Sequence, residues 1–129
     1  MKKLADRYEV YKCEICGNVV EVIHGGRGQL VCCGQPMKLM EKQREEQGYE
    51  KHSPVVEKQK GKILIKIGSI SHPMEEQHFI EMIEAITKDD IVLRKYLNPG
   101  EKPIVEFDIP DVDEVREYCS IHGLWSKKL

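Results

Sequence analysis

The sequence predicts an all-β chain in two units: a small metal-stapled hairpin domain over residues 1–40 and an antiparallel β-sandwich over 49–129, with a linker at 41–48. Three observations predict it. Four of the five cysteines fall within the first forty residues, in two close pairs. The stretch Glu41-Lys42-Gln43-Arg44-Glu45-Glu46-Gln47-Gly48 has no apolar residue to anchor it. Beyond that stretch, short alternating apolar segments are separated by turn-forming residues, as in a sandwich of short strands.

In the first unit, Tyr11-Lys12-Cys13-Glu14-Ile15-Cys16-Gly17-Asn18 is a Cys-x-x-Cys knuckle, in which Gly17 and Asn18 can turn the chain so that main-chain amides face the sulfurs. Val19–Ile23 then reads as a strand, Gly25–Gly28 as a turn, and Gln29–Val31 as a returning strand that delivers Cys32 and Cys33 to the knuckle. A segment of this size buries too little apolar surface to stand alone, so a metal cross-link gives four cysteines a physical purpose. Two disulfides are the competing reading. Against them, adjacent Cys32 and Cys33 cannot bridge each other without strain, and an odd cysteine count leaves one thiol over. Adjacent cysteines also open the angles at a shared ion away from a regular tetrahedron, unlike the paired Cys-x-x-Cys knuckles of most structural zinc sites. His24 sits at the turn and reads as solvated.

The stretch 41–48 joins the two units, with a short exposed helix as the competing reading. In the second unit, Pro54–Glu57, Lys62–Ile67, Ile91–Leu97 and Ile104–Ile109 read as strands, punctuated by Lys60-Gly61, Lys88-Asp89-Asp90 and Asn98-Pro99-Gly100. The segment His78–Ile86 fits two periods. Alternation groups His78, Ile80 and Met82, whereas Phe79, Met82, Ile83 and Ile86 fit a helix; a strand is expected because its neighbours are strands.

Composition narrows the function classes. The chain of 129 residues is 40% hydrophobic and 33% charged, a globular balance with room for a modest core. A net charge of −2 lacks the basic excess that phosphate-backbone binding needs, so nucleic acid is disfavoured as a partner. No run approaches a membrane span, and the first residues are not followed by an apolar signal core. A cytoplasmic protein is expected, in a reducing compartment where cysteines serve as metal ligands.

A second ligand set emerges around Tyr118-Cys119-Ser120-Ile121-His122-Gly123-Leu124-Trp125, which places a thiolate and an imidazole three residues apart. A Cys and a His at this spacing also occur at partly buried strand ends without any metal. The remaining histidines raise the metal reading: His52, His72 and His78 each stand beside a break or strand end, where loops can converge. One five-ligand site is expected from His52, His72, His78, His122 and Cys119.

Cys13-x-x-Cys16 with Cys32-Cys33-Gly34-x-Pro36-Met37 resembles the desulforedoxin domain, an iron-tetrathiolate module. Glu50-Lys51-His52, His72-Pro73-Met74 with His78, and Cys119-x-x-His122-Gly123-x-Trp125 resemble the superoxide reductase domain of the desulfoferrodoxin family, and together the two resemblances cover nearly the whole chain. They imply two iron ions per chain: one held by the four cysteines, the other in an immunoglobulin-like sandwich with His52, His72, His78 and His122 equatorial and Cys119 axial. They also imply superoxide as substrate, hydrogen peroxide as product with no dioxygen, a rubredoxin-like electron donor and a homodimer. An axial thiolate pushes electron density toward the open position, and main-chain amides of Ile121 or His122 are expected to temper it. Of the non-ligands, Lys51 is expected to steer the anion and orient a protonating water, and Glu50 to supply an oxygen ligand to ferric iron. Ser120 departs from the family, which commonly has Asn there, and this bears on local loop hydrogen bonding. The alternative is a non-catalytic electron carrier or a zinc-stapled binding module.

Overall fold

The structure, a computed structural model, describes residues 5–42, 54–68 and 74–129. The chain divides into two compact units, Met1–Glu41 and Lys42–Leu129. Every regular element among the described residues is a strand.

The first unit holds β1 (Val10–Lys12), β2 (Val19–Glu21), β3 (Val31–Cys32), β4 (Gln35–Pro36) and β5 (Lys38–Met40). β1 lies between β2 and β5, antiparallel to each. Both cysteine pairs sit at hairpin tips. The first tip is the Cys13–Asn18 loop between β1 and β2, closed by Cys13 N–H to the Asn18 carbonyl at 2.8 Å and Gly17 N–H to the Cys13 carbonyl at 2.9 Å. The second joins β3 to β4 through Cys33 and Gly34, whose φ angles of 52° and 75° are both left-handed, as a two-residue hairpin turn requires.

The expected pairing of 19–23 with 29–31 does not form. β2 pairs with β1 instead, and Val31 pairs with Pro36. Gly25 explains why: a Cβ there would lie 2.0 Å from the Ala5 carbonyl oxygen, so the chain after β2 packs on the N-terminal segment rather than reversing into a ladder. The resulting core is small. Ala5, Tyr11 and Val22 are buried, with Leu30 and Met37 against them.

The second unit holds β6 (Pro54–Gln59), β7 (Lys62–Ile67), β8 (Ile80–Ile86), β9 (Val92–Tyr96), β10 (Ile104–Phe107), β11 (Glu114–Cys119) and β12 (Gly123–Lys128). They form two antiparallel sheets, β10-β7-β6 and β12-β11-β8-β9. The all-β class that alternation predicts is the fold observed. One core fills the sandwich: Ile63, Ile65 and Ile67 on β7 and Val105 on β10 share it with Ile83, Ala85 and Val115 of the other sheet. Each fully buried isoleucine contributes roughly 1.5–3 kcal/mol relative to exposure, so β7 is a principal anchor.

β8 is the strand expected for this segment, but its alternation is interrupted. Opposite β11 the register moves from Tyr118↔Met82 to Cys119↔Ile80, so Glu81 is an extra residue on β8. The expected grouping of Ile80 with Met82 fails for that reason. Ile80 enters the same core as Ile83 and Ala85 despite the odd spacing, and so does Cys119 at the end of β11.

Candidate metal centres

Each ligand set is built by its own local geometry. In the first unit, the sulfurs of Cys13, Cys16, Cys32 and Cys33 all lie within 4.8 Å of one another, and none is in a disulfide. Cys16 and Cys32 approach to 3.5 Å, and Cys32 and Cys33 to 3.9 Å. A metal–sulfur bond of about 2.3 Å spaces tetrahedral sulfurs by about 3.8 Å, so this cluster fits one ion. The two-disulfide alternative is not realised.

The electrostatics favour a cation in the same place. Main-chain N–H groups of Cys16 and Ile15 hold the Cys13 thiol down at about 6 against a smaller opposing effect of burial. Cys33 is pushed up to about 12 by hydrogen bonding with Cys16 first and then with Cys32 and Cys13, and Cys32 is raised chiefly by Cys16. Four crowded sulfurs thus resist common ionisation, and a divalent or trivalent ion relieves that resistance. Cys13 is buried while Cys16 and Cys33 are exposed, so the cluster has one solvent-facing edge. His24 is exposed and outside the cluster.

In the second unit, donor atoms of His78, Cys119 and His122 lie within 4.8 Å of one another. Cys119 Sγ is 3.9 Å from His122 Nδ1, and the His78 and His122 rings meet edge to face at 4.9 Å between centroids. Cys119 is fully buried at the end of β11, His78 is half-buried and His122 is exposed, so the trio opens to solvent on the imidazole side. Burial pushes the Cys119 thiol up, while the main-chain N–H groups of His122 and Ile121 act against it by favouring the thiolate. Burial, and then the neighbouring His78, lower the His122 imidazole below its ordinary value, which keeps it neutral and able to ligate. Two imidazoles and one thiolate with an open side fit a transition metal that is not fully enclosed.

His52, His72, Glu50 and Lys51 lie outside the described residues. Three of the five expected second-site residues are therefore brought together on the described part of the chain.

Two features escaped sequence reasoning. The loop before β8 is closed by a reciprocal bridge, with Glu75 N–H to the His78 carbonyl at 2.9 Å and His78 N–H to the Glu75 carbonyl at 3.0 Å. This holds His78 at the mouth of the strand. Glu117, two residues before Cys119, lies fully buried between Ile83 and Trp125 across the sheet, and burial raises its carboxyl well above the usual carboxylate range. Its only sequence signal is its spacing: Glu117 stands two residues from the apolar Val115 and two from Cys119, on the same face of a strand.

Comparison with known proteins gives the same division. The model of the desulfoferrodoxin N-terminal domain matches residues 5–40, and that of desulfoferrodoxin matches residues 44–128. A desulfoferrodoxin homolog of Archaeoglobus fulgidus is 58% identical over 118 residues, covering 91% of this chain and 94% of its own. The crystal structure of the superoxide reductase from Treponema pallidum has this fold, with a TM-score of 0.78 at 23% identity over 96% of this chain and all of its own. The superoxide reductase (neelaredoxin) of Archaeoglobus fulgidus in the reduced form aligns with 68% of this chain and 95% of its own, at 25% identity and a TM-score of 0.58. With matches that run through both units and both cysteine-bearing clusters, the chain belongs to the desulfoferrodoxin family.

Proposed function

We propose that this chain is a superoxide reductase, carrying superoxide, one electron and two protons to hydrogen peroxide and releasing no dioxygen. The observation that carries the reading is the convergence of His78, Cys119 and His122 at one open end of the sandwich, in a chain of the desulfoferrodoxin family. His52 and His72 complete the ligand set, with one position left for substrate. Iron held there would supply one-electron redox chemistry, with a rubredoxin-like donor as the source of the electron. The first-unit iron would belong to Cys13, Cys16, Cys32 and Cys33, whose exposed edge suits electron entry.

The residues of the chain set the conditions for that chemistry. The Cys119 thiolate would donate electron density to iron held there, and the main-chain N–H groups of His122 and Ile121 would temper it, which disfavours O–O cleavage. Neutral imidazoles leave the site with a net positive charge that attracts an anion. The Lys51 ammonium adds steering and orients the water from which the product takes a proton. The Glu50 carboxylate would offer a hard oxygen donor to ferric iron. The chain works as a cytoplasmic homodimer.

Stoichiometry tests the reading. Reduced, iron-loaded protein mixed with superoxide should yield one peroxide per superoxide and no dioxygen. Dioxygen at one per two superoxide would indicate dismutation, and no superoxide consumption would overturn the assignment.

A further inference from the structure

The hydroxyl of Ser120 touches the main chain on both sides of His78. It accepts a hydrogen bond from Phe79 N–H at 3.1 Å and donates to the Gln77 carbonyl at 3.4 Å. In parallel, Ser120 N–H donates to the Phe79 carbonyl at 3.0 Å. Ser120 itself follows Cys119 directly and lies two residues before His122. One residue therefore ties the loop that carries one imidazole to the loop that carries the thiolate and the other imidazole, across more than forty positions of chain.

We propose that Ser120 is the positioning residue of the second metal centre, fixing the His78 imidazole against Cys119 and His122. The inference rests on reading those three as ligands. Three observations support it. The hydroxyl engages residues 77 and 79, so a rotation of the main chain that swings His78 away breaks both bonds together. The Glu75–His78 bridge already closes the loop on its N-terminal side, which leaves the direction of the whole turn to be set from outside it. The loop makes a further bond of this kind just beyond, where Ile80 N–H meets Met74 Sδ at 3.4 Å, a weak acceptor that sets no direction from the β11 side. The Ser120 hydroxyl is thus a side-chain hydrogen-bond link from the Cys119 loop to the main chain of this turn, beside the contact of the His78 and His122 rings.

The main-chain half of the tie survives removal of the hydroxyl, so Ser120→Ala keeps the pairing of the two loops while losing both side-chain bonds. Groups that orient ligands are typically worth ten- to a hundred-fold in metal affinity. Ferrous iron is titrated anaerobically, against a competing chelator, into protein whose cysteine cluster is already filled. Wild type, Ser120→Ala, Ser120→Thr and the core truncation Val112→Ala are compared, and amide exchange at Phe79 is followed in each before iron is added. Ser120→Ala should weaken second-site affinity about ten-fold and speed Phe79 exchange, Ser120→Thr should restore both, and Val112→Ala should lose stability while keeping affinity. Equal affinity in Ser120→Ala and wild type overturns the proposal, whether or not exchange changes. So does a ten-fold loss in Val112→Ala, which would make the effect one of general stability. Wild-type protein that binds no iron outside the cysteine cluster would instead overturn the ligand reading itself.

Discussion

Replacing Arg116 with Met tests what holds β11, the strand that ends in Cys119, within its sheet. Arg116 and Glu84 are each 0% exposed and face each other directly across β11 and β8, with Arg94 opposite Glu84 on β9. Arg116 donates from Nε and Nη2 to Glu84 Oε1 at 2.8 and 2.6 Å, and Arg94 Nε donates to Oε2 at 2.9 Å, with Arg94 Nη2 on the same oxygen. Removing Arg116 leaves a buried carboxylate with its remaining cation on the partly exposed side, a change that costs about 3–5 kcal/mol when a buried pair is broken. Against a typical domain stability of about 5–15 kcal/mol that is a large fraction. With a urea slope of about 2 kcal/mol per molar, the midpoint should fall by roughly 2 M. Trp125 is the single tryptophan and is buried on β12, so its fluorescence reports this unit alone. The double variant Glu84→Leu with Arg116→Met removes both charges and should recover more than half the loss. A shift of less than about 0.5 M for the single variant, or a double variant no more stable than it, would refute the reasoning.

Cys13→Ser should abolish the visible absorption of the tetrathiolate iron and leave superoxide reduction within about two-fold; a collapse of peroxide production with the second iron fully loaded would make the first iron an obligatory relay. Burial opposes ionisation of Glu114, but the Lys42 ammonium at 2.8 Å and the Ser126 hydroxyl outweigh it and hold the carboxyl below its ordinary 4.5. Its ionised form therefore adds stability above that value, lost as pH falls through the lower folded value, so Glu114→Gln should cost about 1 kcal/mol at neutral pH and flatten the acid limb of the urea midpoint; an unchanged slope counts against it. Lys51→Ala should slow the encounter with superoxide about ten-fold at low ionic strength and weaken its salt dependence, measured by pulse radiolysis, whereas an unaltered rate and slope would make Lys51 a bystander. Sedimentation should show a species of twice the 14.9 kDa chain mass, and a monomer alone at micromolar concentration would remove the dimer.

Strands were legible where one face is apolar and the other polar. β6, β7, β9 and β10 follow the alternating segments closely, and β8 was recoverable from its neighbours. β11 and β12 were not read as strands at all. Glu114-Val115-Arg116-Glu117 looks like solvated surface, yet every residue of β11 is buried. Its charges are tolerated because the partners lie elsewhere in the chain: Glu84 on β8 for Arg116, and Ser126 on β12 with Lys42 for Glu114. Burial also pushes the Glu117 carboxyl up, which favours its neutral form. No local period encodes such pairing, since Glu84 and Arg116 stand 32 residues apart. The first-unit pairing failed for a similar reason, because the close approach of Gly25 to Ala5 is a contact twenty positions long.

The two ligand sets differ in how much of their geometry is local, and this explains why both could be named from the sequence although neither was fully built from it. In the first unit each cysteine pair rides on its own short turn: Gly17 at φ 85° closes one tip, and Cys33 and Gly34 in left-handed conformations close the other. Such turns are local, so spacing carries the shape of each tip, whereas the strand pairing that brings the tips together was misread. In the second, Cys119 depends on the register shift between β11 and β8, and His78 depends on a turn tied to the Cys119 loop through Ser120. Residue types announce that set, whereas its shape belongs to the packed sheet. A substitution in the β8–β11 core should therefore disturb the imidazole–thiolate centre while leaving the tetrathiolate cluster, which rests on local turns and a separate core, as it was.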